Sequence, residues 1–131
     1  MLDVAIVSEQ VVTAKGDGPP VEISAAQNRV LLVTLRITDI VEQESLDVSL
    51  WSSPDGSAWG DKAIAAFPQK FYRGEHPLLL DLTSRPEVKF LRAHWECYRW
   101  GRGAETPMFK FAVQAQEVPK EVLAEVNAAP R

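Results

Sequence analysis

Apolar residues in this chain recur at every second position far more than at every third and fourth, the period of an extended strand rather than a helix. Leu31, Val33, Leu35 and Ile37 share one face, and Thr34, Arg36 and Thr38 take the other. Leu46, Val48 and Leu50 repeat the arrangement against Asp47 and Ser49. Leu78, Leu80 and Leu82 follow after a loop, then Leu91, Ala93, Trp95 and Cys97 opposite Arg92, His94, Glu96 and Tyr98. Phe109, Phe111, Val113 and Ala115 close the series opposite Lys110, Gln114 and Gln116. Each row has one wet and one dry face, as a strand needs when it covers a core on one side only.

The N-terminal part is less regular. Runs at 4–7, 11–14 and 21–25 predict short edge strands, broken by polar residues and by Gly16-Asp17-Gly18-Pro19-Pro20. Pro19 and Pro20 have no N–H for a ladder, so they belong to a loop or a sheet edge. Pro119 can open a short helix over 119–127, with Val118, Val122, Leu123 and Val126 on one side, before a frayed tail. Seven or eight short strands with one-sided burial predict a single all-β domain over 1–131. Its fold is an antiparallel two-sheet β-sandwich, jelly-roll or immunoglobulin-like, with a closed barrel as the rival. The Trp59-Gly60 and Trp100-Gly101 pairs have unlike flanks, which argues against a propeller or solenoid.

Composition narrows the function. With 131 residues, 46% apolar and 24% charged, the chain can build one core and is not disordered. No apolar run approaches the roughly 20 residues of a membrane span and no signal peptide is visible, so a soluble cytoplasmic protein without a membrane partner is expected. A net charge of -4 argues against nucleic acid as a partner. One cysteine allows no internal disulfide and fits a reducing compartment. Charge is split along the chain: residues 1–61 carry 3 basic and 10 acidic side chains, residues 62–110 carry 9 and 5. If the strands keep these sets apart, opposed patches favour self-association.

The sharpest local signal is Ser53-Pro54-Asp55-Gly56-Ser57-Ala58-Trp59. Asp55 can accept bonds from nearby amides and Gly56 takes a positive φ, so the pair forms a structural turn, with Trp59 folding back to plug one end of the sandwich. A calcium loop through Asp55 and Asp61 falls short of the about six to eight oxygens such a cage needs. A strand leading into Ser-x-Asp-Gly-x-x-Trp, a later Phe-containing loop and the strand Val88-Lys89-Phe90-Leu91-Arg92 together resemble the discoidin and galactose-binding-like jelly rolls. Some phage structural proteins are similar in strand, turn and aromatic. The resemblance covers residues 46–95 and implies a non-catalytic module that binds glycans or other surfaces through loops at one end. The cysteine pair that often joins the termini of discoidin domains is missing.

On one strand face, Arg92, His94, Glu96, Tyr98 and Trp100 form a polar and aromatic stripe suited to a sugar or a protein partner. The Arg99-Trp100-Gly101-Arg102-Gly103 end is a thin case for single-stranded nucleic acid. Cys97 lies an odd number of residues from His94, on the opposite face, so it is expected to be a buried inert thiol. His76, placed in the loop before Leu78, has only Glu75 beside it, and His94 with Glu96 gives two metal ligands where three or four are needed. No Gly-x-Ser-x-Gly elbow or phosphate loop is present, and no metal or cofactor is implied.

The expected function is therefore a non-enzymatic structural or protein-interaction module, self-associating or part of an assembly. The alternative is a carbohydrate-binding module using exposed aromatics. Trp59, Arg92, His94, Tyr98, Trp100 and Arg102 are the candidate ligand or interface residues. A cupin-like enzyme ranks below both, since the inward faces are apolar where it needs converging histidines.

Overall fold

A computed structural model of the chain describes residues 1–40, 44–70, 72–99, 108–119 and 122. Its strands are β1 (Asp3–Val12), β2 (Gly16–Asp17), β3 (Val21–Glu22), β4 (Val30–Ile40), β5 (Glu44–Ser53), β6 (Ala65–Ala66), β7 (Gly74–Asp81), β8 (Phe90–Arg99) and β9 (Phe109–Glu117). Two antiparallel sheets result: a four-stranded one in the order β1-β9-β4-β7, and a five-stranded one in the order β2-β8-β5-β6, with β3 also on β8.

β2 and β3 are two pieces of one edge strand. Both pair with β8, and Pro19 and Pro20 interrupt the ladder between them. Counted as one, they leave eight strands among the described residues, which pair first with last, second with seventh, third with sixth and fourth with fifth. This is a long hairpin rolled up so that its two halves run side by side. The strand order is that of a jelly roll, not of an immunoglobulin sandwich.

The core forms because the alternating rows of both sheets face inward. Leu31, Val33, Leu35, Ile37, Phe109, Phe111, Val113 and Ala115 come from one sheet; Leu46, Val48, Leu50, Leu91, Ala93 and Trp95 come from the other. Trp95 meets Phe111 edge to face, with ring centres 5.5 Å apart. The runs expected at 4–7 and 11–14 belong largely to one strand, β1. Register shifts between Ala5 and Val7 and between Val7 and Gln10 bury the consecutive Ile6 and Val7, which breaks the alternation. Of the helix expected over 119–127, only Pro119 and Val122 lie within the described residues.

The rolled hairpin also decides what becomes of the split charge. Strands from the acidic first half lie beside strands from the basic second half, so opposite charges meet within one molecule. Arg36 pairs with Glu75 at 2.8 Å and Arg73 with Asp39 at 3.3 Å. The sequence asymmetry thus does not by itself divide the surface into an acidic and a basic half.

Two carboxylates are buried at strand ends. Glu44 accepts the Met108 N–H at 2.8 Å. Glu117 accepts the Leu2 N–H at 2.9 Å on one oxygen, and the Asn28 N–H and side-chain amide at 3.0 and 2.8 Å on the other. His76 is in β7 rather than a preceding loop. Its Nε2 is buried without a hydrogen-bond partner, and burial, with the nearby Lys70 charge, holds its pKa below 6.5. The folded state therefore binds fewer protons than the unfolded chain just below that value, and stability falls as pH drops through the window. His76→Leu is expected to flatten this loss, read from urea midpoints between about pH 6.5 and 5.

Candidate functional site

β5 and β8 pair without a register shift from Glu44 opposite Arg99 to Ser53 opposite Phe90. Because the ladder is unbroken, side chains on the outer face stay in phase: Trp51 lies across from Arg92, Ser49 from His94 and Asp47 from Glu96. These pairs form a platform outside the five-stranded sheet, opposite the face that packs into the core.

At one end of the platform, the Arg92 guanidinium carbon stands 4.6 Å from the centre of the Trp59 ring, a cation–π contact. The neighbouring Trp51 indole N–H donates to Ser49 Oγ at 3.1 Å. His94 Nδ1 lies 2.8 Å from Asp17 on β2, and its Nε2 lies 3.8 Å from Glu96. Further along, the exposed Tyr98 hydroxyl donates to Glu96 at 3.1 Å, and that bond and charge push the phenol pKa up. Asp17, Trp51, Gly60, Arg92 and His94 line a shallow recess of about 280 Å³. A second hollow, about 350 Å³, shares Gly60 with the first and is lined by Trp59, Asp61, Lys62, Arg85 and Glu87 among others.

Trp59 reaches this position through the turn that follows β5. Ser53 Oγ accepts the N–H groups of Asp55 and Gly56 at 3.2 and 2.8 Å and donates to Asp55 Oδ1 at 3.0 Å. The same Oδ1 accepts the N–H groups of Ser57 and Ala58, both at 2.9 Å, and these bonds hold the Asp55 pKa below its ordinary value. Gly56 has φ +84°, and a Cβ there would meet the Phe90 ring at an ordinary 3.5 Å. Gly56→Ala therefore costs backbone strain rather than a clash. A loss of about 1–2 kcal/mol is expected in thermal or urea unfolding.

The structure places the sequence-nominated residues unevenly. Arg92, His94, Glu96 and Tyr98 share the outer face, and Trp59 joins them from the loop. Trp59 does not plug an end of the sandwich: it is half-buried over the outer face, drawn there by Arg92. Trp100 and Arg102 lie outside the described residues. Cys97 and His94 are on opposite faces of an unbroken strand, and burial together with the Glu44 charge raises the thiol pKa, so the two do not form a nucleophile and base. No group of three or more His, Cys, Asp or Glu that could hold a metal occurs among the described residues, and none of their helices is long and apolar enough to cross a membrane.

Trp51 and Asp17 are site residues that sequence pattern alone did not nominate. The outward parity of Trp51 with Asp47 and Ser49 was a usable signal. The meeting of Asp17 with His94 was not, because it depends on long-range pairing.

No family model and no curated protein matches the sequence. Among solved structures, the chain is similar to one from the "Structure of infectious bursal disease virus Gx strain", with a TM-score of 0.53 and 10% identity. The match covers 88% of this chain and 32% of that one, so the chain spans about a third of its length. At this identity the likeness shows a shared β-sandwich fold alone. No matching family model supports the resemblance to discoidin and galactose-binding-like domains.

Proposed function

We propose that the chain is a non-enzymatic structural module that works by protein contact, through self-association or docking within a larger assembly. The observation that carries this reading is the platform outside β5 and β8, where Trp51, Arg92 and Tyr98 stand on a fully paired strand ladder and Trp59 covers Arg92 from the following loop. Aromatic and arginine side chains on a rigid base are what protein interfaces use as anchors. Jelly rolls also serve as capsid building blocks, and the similar chain comes from a virus structure. A carbohydrate site receives less support, because the Trp59 face that a sugar would stack on already carries Arg92.

Light scattering behind size exclusion tests the self-association half. A mass above 14.6 kDa that grows with concentration and shrinks with salt is expected. A monomer at high micromolar concentration, unaffected by salt, would remove self-association from the reading.

A further inference from the structure

Among the described residues, no carboxylate balances the charge of Arg92. Its Nε is sealed from solvent with no hydrogen-bond partner, and no carboxylate lies within 4 Å of its guanidinium among the described residues. The Trp59 ring compensates the covered side of the group. The terminal nitrogens make no hydrogen bond to a described residue and remain available for an oxyanion, which a guanidinium fork binds in bidentate fashion. Asp17, the carboxylate in the same recess, is held at 2.8 Å by His94 instead.

An unmatched carboxylate stands close by. Asp61 is exposed, makes no hydrogen bond or ion pair with another described residue, and lines the second hollow, which shares Gly60 with the recess. On its own copy it does not come within 4 Å of Arg92. In a two-fold dimer built on the 59–61 loop, Asp61 of each copy would face Arg92 of the other and a single contact would be made twice. Resting on the assembly reading above, we propose that the recess lined by Arg92 and Trp51 is a self-docking site, in which Asp61 of a second copy enters and pairs with Arg92.

Sedimentation velocity over a concentration series tests this with the full chain, Asp61→Arg, Arg92→Asp and the double variant, each checked for folding by circular dichroism. Wild type is expected to dimerise, each single variant to raise the dimer dissociation constant by about 30-fold or more, and the double variant to recover most of the loss. If Arg92→Asp fails to fold, Asp61→Arg still decides, because it changes only an exposed loop side chain. A wild-type dimer that Asp61→Arg leaves intact would overturn the proposed contact while leaving self-association standing. A folded double variant that stays as weak as the singles would also overturn the pairing. A wild-type chain that remains monomeric throughout would overturn both the contact and self-association.

Discussion

Phe111→Ala is expected to lower the unfolding free energy by about 3–5 kcal/mol, the range for truncating a well-packed buried aromatic. Phe111 is fully buried on β9, in the middle of the four-stranded sheet, and spans to the other sheet through Trp95. Its loss removes contacts on both sides of the core, and the rigid ladders β1–β9 and β4–β9 limit how far the walls can collapse into the space. A domain of this size is stabilised by only about 5–15 kcal/mol, so the variant should melt roughly 10–20 °C lower. Leu79→Ala is the control. Leu79 is 60% exposed on β7, and the change should stay within about 0.5 kcal/mol. Equal losses in the two variants would contradict the assignment of inward and outward faces.

Glu117→Gln is expected to have the second largest effect and to change how stability responds to acid. The carboxylate accepts N–H groups from two distant segments, Leu2 just before β1 and the loop before β4. An amide in its place keeps one acceptor and turns an NH₂ toward those donors, leaving buried polar groups unmatched. The Leu2 N–H bond, with those from Asn28 and Gln27, outweighs burial and holds the Glu117 pKa below 4.5. With the folded-state pKa depressed, the unfolded chain binds more protons between that value and about 4.5. The stabilisation is therefore complete above the window and lost as pH falls through it. Wild type should lose urea stability across that range, whereas Glu117→Gln should start lower at pH 7 and show a shallower acid limb. Parallel curves would show that Glu117 does not tie the ends together.

Parity along the chain made some of these features legible beforehand. Glu117 shares its phase with Phe109, Phe111, Val113 and Ala115, and Glu44 shares its phase with Leu46, Val48 and Leu50. An acid on the dry side of a strand signals a buried, hydrogen-bonded carboxylate. His76 likewise keeps phase with Leu78 and Leu80, although the strand was expected to begin after it. The stripe from Arg92 to Tyr98 could be read the same way, since a regular strand fixes which side chains point together. The β1 bulges were illegible because an extra residue resets that parity without a mark in the sequence.

Sequence by itself determined the local character of this protein: extended strands with one dry face, a turn at Ser53 to Gly56, and a thiol and imidazole on opposite sides of β8. Those follow from side-chain alternation and turn chemistry, which act over a few residues. Tertiary structure decided the jelly-roll order, the interleaving of the acidic and basic halves, and the meeting of Trp59 with Arg92 and of Asp17 with His94. These contacts join residues 33 and 77 positions apart in sequence. Periodicity marks which face of a strand is apolar and leaves its neighbours open; the rolled pairing of the whole chain chooses them.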